Sequence, residues 1–352
     1  MSPARIVKIN PQGPDEGYLE EAARVIKNGG LVIIPTETVY GIAADMSNKK
    51  TIERLYEIKG RPENKPFSLH IDSKEKIKNY AGDIPVVAWK LIDRFWPGPL
   101  TIVLKAKDKG TIGIRMPDDE IALQVIALSG VPVVCPSANL SGKPAPINFQ
   151  QAIEDFKDKV DFAIDAGSVS LGKESTVIDL TQEPLKVLRI GAIAEETIKQ
   201  VAGHKTVLFV CTGNSCRSVM AKALLEKSLK LKKRGDVEVL SAGMMSSGMG
   251  ATEATKEVLA EESIDVSSHR SQRVNEDMLR KADLILVMEK IHEERILQLA
   301  PEIKNRVFLL KEFAKIDDMN MNIDDPIGMP LEFYEKTMET IKEAVGRIAD
   351  II

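Results

Sequence analysis

Short apolar runs bounded by Gly, Pro, Asn or Ser alternate along this chain with stretches whose apolar residues recur every three or four positions. In the first half, LVIIP (31–35), LTIVL (100–104), TIGIRM (111–116), VPVVCP (131–136) and STVIDL (175–180) predict strands. Segments 18–28, 48–58, 84–95, 119–129 and 149–156 carry helical spacing. Beyond the loops PSANLSGKPAP (136–146) and GSVSLGKES (167–175), the rhythm changes at Gly203-His204-Lys205, where a boundary is expected. The second half then reads as strand–helix units: TVLFV (206–210) and a helix near 217–231, then VEVLSAG (237–243) and a helix near 252–262. ADLILVM (282–288) leads to a helix near 290–299, and VFLLKEF (307–313) precedes a last helix near 331–351. Such alternation predicts a doubly wound parallel sheet.

The length, 352 residues, exceeds what one core usually organises, so two domains are expected, 1–203 and 204–352, of α/β class overall. A net charge of -4 gives no global reason to bind nucleic acid or an anionic membrane. No apolar run approaches the roughly 20 residues needed to cross a bilayer, and the start, MSPARIVKINPQG, lacks a signal-peptide core. Three cysteines do not make a disulfide framework, which points to a reducing cytoplasm and no membrane association.

The most specific chemistry lies in TVLFVCTGNSCRSVMA (206–221). An apolar strand ends, a tight loop follows, and a helix starts near Arg217, so the loop amides gather at a helix N-terminus, where an anion is favoured. Cys211 and Arg217 bracket five residues, the spacing that sets a thiol beneath a phosphate and a guanidinium on its oxygens. The same amides favour the nucleophilic thiolate. Ser218 can donate to that sulfur, and Asn214 can take the left-handed backbone conformation. A general acid is also required, and Asp324-Asp325-Pro326 sits in a loop expected at the carboxyl ends of the strands.

These residues resemble the low-molecular-weight phosphotyrosine phosphatases, including their YwlE-like arginine-directed branch, over 205–352. VLFVCTGNSCRS matches the phosphate loop, VLSAG the second strand, SSHRS the mid-domain segment, ADLILVM the third strand and DDP the acid loop. The resemblance implies that Cys211 is the nucleophile, Arg217 the phosphate binder and Asp325 the acid. The phosphate loop would be Thr212, Gly213, Asn214, Ser215, Cys216 and Ser218, with His269 in support, and no cofactor would be needed. Ser215 stands where tyrosine-directed members carry a bulky aliphatic residue, and Ile327 replaces an aromatic at the mouth. The small, polar Ser215 suggests phosphoarginine rather than phosphotyrosine on a phosphorylated protein. An arsenate-reductase-like reading is the alternative, but its relay needs a third cysteine, and Cys135 lies in the other domain.

In the first domain, strand alternation in TIGIRM sets Thr111, Gly113 and Arg115 on a polar face that can line a cavity. Pro62 and Pro66 hold Arg61 and Lys65 extended, so Lys59 and Arg61 can point together toward a polyphosphate. No glycine-rich phosphate motif is present, so scattered side chains would bind phosphate. PTETVYGI (35–42), KGRPENKP (59–66), WPGPLT (96–101), RMP (115–117), PSANLSG (136–142), STV (175–177) and LRIGAI (188–193) together resemble the threonylcarbamoyl-AMP synthase (YrdC/Sua5-like) family. The resemblance implies an α+β domain with a twisted mixed sheet around a concave cavity. It also implies synthesis of threonylcarbamoyl-AMP from L-threonine, bicarbonate and ATP for modification of tRNA adenosine 37. Thr38, His70, Arg115 and Ser175 would hold threonine; Lys59, Arg61, Lys65, Thr111, Ser137, Asn139 and Arg189 would hold ATP with Mg2+. No protein metal cage is expected. tRNA or tRNA-modification proteins are the further partners implied, and a double-stranded RNA-binding module is the alternative for this fold.

Overall fold

The computed structural model describes residues 3–245 and 248–352 and divides into two compact units, Met1–Ala202 and Gly203–Ile352. Each has its own sheet and core.

In the first unit the strands are β1 (Arg5–Lys8), β2 (Val32–Ile34), β3 (Gly41–Asp45), β4 (Leu69–His70) and β5 (Leu100–Lys105), then β6 (Thr111–Arg115), β7 (Val133–Val134), β8 (Phe162–Asp165), β9 (Thr176–Asp179) and β10 (Lys186–Arg189). They form one mixed sheet in the order β1-β8-β2-β3-β7-β4-β6-β5-β9-β10. The central β2 is buried on both faces, which is why it reads as an unbroken apolar run. The strands not foreseen, β1, β3, β4, β8 and β10, are short or lack clean alternation, and β4 has only two residues.

Helices pack on this sheet along stripes visible in the sequence. In Glu16–Lys27 the buried residues are Leu19, Ala22, Ala23 and Ile26, after an Asp15 cap. Helix Lys49–Lys59 is capped by Asn48 and stopped by Gly60 at φ 57°, a conformation glycine adopts without strain. Residues of the expected polar clusters converge because His70 is in register with Arg115 across β4 and β6, and Ser175 immediately precedes β9. Arg189 on β10 pairs with Val177 of β9, bringing its guanidinium beside Ser175.

The second unit has four parallel strands, β11 (Lys205–Cys211), β12 (Val237–Gly243), β13 (Leu284–Val287) and β14 (Val307–Leu309), in the order β12-β11-β13-β14. Alternate residues of β11 enter opposite cores: Val207, Phe209 and Cys211 on one face, Leu208 and Val210 on the other. The chain leaves β11 to one side for β12 and returns to the other for β13. That reversal makes the carboxyl end of β11 the switch point, where ligands of such sheets bind. Cys211 is its last residue. VFLLKEF, expected as a strand to 313, ends at Leu309; Lys311 turns back to Asp318 and Asn320 within a short helix, Leu310–Phe313.

Candidate active sites

In the second unit, helix Arg217–Leu231 starts at Cys216, whose side chain makes no cap hydrogen bond. Among the described residues, the amides of Ser215, Cys216, Arg217 and Ser218 have no protein acceptor. Unpaired amides at a helix N-terminus are an oxyanion cradle. Asn214 holds the turn at φ 52°. Its side-chain amide donates to Ser218 Oγ (2.9 Å) and Ser241 Oγ (3.0 Å), while its Oδ1 accepts from the Gln272 amide (3.0 Å). His269 Nε2 donates to the Asn214 carbonyl at 2.7 Å. The loop is thereby fixed before any ligand arrives.

Cys211 Sγ is 3.0 Å from Ser218 Oγ and accepts from the Asn214 amide at 3.3 Å. Ser218 Oγ accepts from Asn214 Nδ2, so its own proton is left to point at the sulfur. Gly243 of β12 passes so close that a Cβ there would meet the Asn214 nitrogen and the Gly213 carbonyl carbon at 2.9 Å. Only glycine lets the strand support the loop from that distance.

Arg217 is fully buried. Its Nη1 donates to Glu289 Oε2 (2.6 Å) and the Ile323 carbonyl (2.7 Å). Its Nη2 donates to Thr212 Oγ1 (3.1 Å) and to Asp325 Oδ2, while Nε is buried without a partner. The Nε–Nη2 edge is the one that can chelate an oxyanion, provided Asp325 yields the N–H of Nη2. Asp325 also accepts from the Ile327 amide (3.2 Å), which keeps its carboxylate at the loop. Ser215 is buried against Cys216, with Oγ 3.7 Å from that sulfur, and Cys216 Sγ lies 3.5 Å from Thr252 Oγ1. Two participants went unnoticed in the sequence. Glu289 and His292 follow ADLILVM at the start of the next helix, where a Glu-x-x-His capping pair was the available signal.

The first unit holds two adjoining pockets at one end of its sheet. The inner, of about 100 Å3, is lined by Thr36, His70, Thr101, Arg115, Cys135 and Ser175 among others. The outer, of about 280 Å3, is lined by Lys59, Lys65, Asn139, Ser141 and Lys143 among others. Arg61, Ser137, Glu174 and Arg189 line both.

Arg115 forms a buried ion pair with Glu37 (2.7 Å) and donates from Nε to the Gly98 carbonyl (3.2 Å). Its Nη1 is left to meet a ligand. His70 Nδ1 donates to the Ser68 carbonyl (3.3 Å), leaving Nε2 as an acceptor. Burial, and then the Arg115 cation, pushes His70 down to about 3, so the ring is neutral. Ser175 Oγ is 2.9 Å from Thr101 Oγ1 and accepts from Arg189 Nη2 at 3.0 Å.

Lys59 is held by the carbonyls of Ser137 (2.5 Å) and Asn139 (2.7 Å), so it fastens the PSANLSG loop as well as lining the outer pocket. Arg61 donates to the carbonyls of Lys65 and Pro66 and lies 5.2 Å from the Phe67 ring. Asn139 donates to the Leu140 and Lys143 carbonyls, and its Oδ1 is buried without a partner.

Two residues assigned by resemblance lie elsewhere. Thr38 is fully buried behind Thr36, to whose hydroxyl it is bonded at 2.8 Å; Thr36 is the one lining the pocket. Thr111 is exposed at the far end of β6 from Arg115 and lines neither pocket, because sharing a strand face does not mean sharing its end. Glu37, Thr36 and Glu174 were not singled out in the sequence, although PTETVYGI places a carboxylate inside a buried segment.

Among the described residues no group of three His, Cys, Asp or Glu is arranged to hold a metal ion. Glu174 is the carboxylate facing both pockets, and Arg189 engages it at 2.5 Å.

The family model Sua5/YciO/YrdC, described as telomere recombination, matches residues 24–191, and that of the low molecular weight phosphotyrosine protein phosphatases matches 206–352. The threonylcarbamoyl-AMP synthase of Pyrococcus abyssi is 41% identical over 219 residues, covering 60% of this chain and 64% of that protein. A solved structure of P. abyssi Sua5 complexed with L-threonine aligns with a TM-score of 0.54 and 34% identity, covering 68% of this chain and 84% of that one. A protein-arginine-phosphatase of Geobacillus stearothermophilus is 38% identical over 145 residues, covering 41% of this chain and 93% of that protein. The chain spans 64%, 58% and 58% of the length of curated synthases from P. abyssi, Bacillus subtilis and Schizosaccharomyces pombe. With an anion cradle under Arg217 and paired pockets around Arg115 and Arg189, the chain belongs to two families at once, Sua5/YciO/YrdC through its first unit and the low-molecular-weight phosphatases through its second.

Proposed function

We propose that the second unit hydrolyses phosphoarginine on proteins, with phosphotyrosine as the lesser substrate, through a phosphocysteine. The observation that carries this reading is Cys211 Sγ set at 3.0 Å from Ser218 Oγ beside unpaired helix amides. The thiolate attacks phosphorus and the bond to the leaving nitrogen or oxygen breaks. Arg217 and the amides hold the equatorial oxygens, and Asp325 gives its proton to the leaving group. Water then attacks the phosphocysteine, its proton passing to the Asp325 carboxylate, and phosphate leaves. The small Ser215 leaves room and a hydroxyl for a guanidinium. Turnover of matched phosphoarginine and phosphotyrosine peptides by wild type and Cys211→Ser tests this. Faster phosphotyrosine hydrolysis rejects the preference, and activity surviving in Cys211→Ser rejects the mechanism.

For the first unit we infer synthesis of threonylcarbamoyl-AMP. What supports it is the convergence of Arg115 Nη1, neutral His70 and Ser175 in a pocket that opens to Lys65, Arg61 and Arg189. Arg115 would meet the threonine carboxylate and His70 its hydroxyl. The amine adds to carbon dioxide derived from bicarbonate, losing a proton, and the carbamate oxygen attacks the α-phosphate with release of pyrophosphate. Magnesium bound to ATP would neutralise charge on the phosphates. The product would serve tRNA modification, and tRNA-modification proteins would receive it. Pyrophosphate released from ATP only when threonine and bicarbonate are both present is the expected result; release without threonine would overturn the reading. Among the described residues no helix is long and apolar enough to cross a membrane.

A further inference from the structure

The helix Lys290–Leu299 opens with a capping box in which both side chains do more than cap. The Glu289 backbone carbonyl accepts from the His292 amide at 3.0 Å, and His292 Nδ1 accepts from the Glu289 amide at 3.2 Å. A ring nitrogen that accepts cannot carry a proton, so the proton of the neutral ring is on Nε2. That nitrogen lies 2.9 Å from Thr212 Oγ1, in the phosphate loop, and donates to it. Thr212 Oγ1 accepts a second bond from Arg217 Nη2 at 3.1 Å. Both lone pairs of the hydroxyl are thus occupied, and its own proton is left for another acceptor. The acceptor an occupied loop offers is a phosphate oxygen.

Glu289 meanwhile takes Nη1 of the same guanidinium at 2.6 Å, and the Ile323 carbonyl takes it at 2.7 Å. Apart from Asp325 and the Ile323 carbonyl, the side-chain hydrogen bonds of Arg217 therefore lead to this helix start, directly to Glu289 or through Thr212. The charged groups around His292 are Arg217, Glu289, Asp325 and Arg295, and burial with Arg217 outweighs the two carboxylates in pushing the ring down to about 4. A neutral ring fits a fixed donor rather than a titrating base.

Resting on the phosphatase reading, the geometry assigns Glu289 and His292 as positioning residues of that site: the capping box fixes the His292 tautomer, and His292 through Thr212, with Glu289, sets the plane in which Arg217 chelates phosphate. Neither residue touches the reacting atoms.

The test combines a spectroscopic and a kinetic arm on the full chain. Nitrogen-15 spectra of the histidines at neutral pH are expected to show His292 neutral with its proton on Nε2. A proton on Nδ1, or on both nitrogens, overturns the assignment whether or not the protein is active. With p-nitrophenyl phosphate, His292→Leu is expected to lower kcat about five- to thirtyfold with KM little changed. His292→Gln, which can accept the Glu289 amide and still donate, is expected to recover most of that loss. Placed on Thr212→Val, His292→Leu should cost less than twofold more, since the two act along one path. Equal and independent losses in that cycle, or a loss that merely follows melting temperature, refute the positioning role. A wild type with no aryl phosphatase activity defeats the phosphatase reading, while the tautomer result still decides this one.

Discussion

Asp325 Oδ2 accepts a hydrogen bond from Nη2 of Arg217, so the general acid assigned to the leaving group rests on the guanidinium assigned to phosphate. A phosphate dianion arriving in the loop competes for the same N–H and frees the Asp325 carboxyl, which takes up a proton from solvent, to face the leaving group as its acid. Asp325→Ala is therefore expected to do two opposite things. Turnover of substrates with poor leaving groups should fall about 10²- to 10⁴-fold, the usual worth of a general acid. Inhibition by inorganic phosphate or vanadate should become stronger, because a competing anion has been removed. Weaker inhibition in the variant would show that Asp325 does not compete for Arg217.

Gly243 answers to the phosphate loop rather than to its strand. An added methyl would stand 2.9 Å from the Asn214 nitrogen and the Gly213 carbonyl carbon, both backbone, and 3.0 Å from the Thr212 carbonyl oxygen. Backbone cannot swing aside as a side chain can, so the loop must move as a unit. Gly243→Ala is expected to reduce vanadate affinity at least about tenfold, since a shift of about 1 Å in such a site costs far more than a lost contact. Vanadate titration by calorimetry measures it, and unchanged affinity would show that the loop tolerates displacement.

Legibility from sequence followed sequence distance. The cradle was readable because Cys211, Asn214, Arg217 and Ser218 lie within a single strand–turn–helix. The alternation of TIGIRM placed Arg115 toward a cavity for the same local reason. What holds these groups was not readable. Glu37 meets Arg115 across 78 positions, and Glu289 meets Arg217 across 72. Such partners are chosen by strand order, which no local period encodes. Thr111 shows the complementary limit: periodicity fixes a face, but only the register says which end of β6 lines the two pockets described, and Thr111 lies at the other end.

Arg115 and Glu37 are each only 6% exposed along their side chains, and Glu37 Oε2 has no partner. Removing the cation alone strands a buried carboxylate, at about 3–5 kcal/mol. Arg115→Met should therefore lower the melting temperature of the first unit sharply. Arg115→Met with Glu37→Gln should recover most of it, because no uncompensated charge remains. Neither variant should release pyrophosphate in response to threonine, whereas ATP binding should persist in the double variant. Threonine-dependent turnover in the stable double variant would remove Arg115 from the site.

Lys59 supplies the clearest dependence on pH. Burial, and next the neighbouring Arg61 cation, bring it from its ordinary 10.5 down to about 8. The folded protein therefore carries this charge below about pH 8 and loses it as pH rises through that value. A neutral amine keeps two N–H groups for the Ser137 and Asn139 carbonyls, so the loop stays fastened; the charge and the third donor are what disappear. In the nucleotide reading, kcat/KM for ATP should decline above about pH 8, whereas the contribution of Lys59 to folding stability should rise there, because the unfolded chain keeps that proton up to its ordinary value of 10.5. Lys59→Arg, whose guanidinium remains charged in this range, should flatten the decline even if its larger head lowers the rate throughout. A decline that persists unchanged in Lys59→Arg would locate the titrating group elsewhere and leave Lys59 as a fastener of the loop alone.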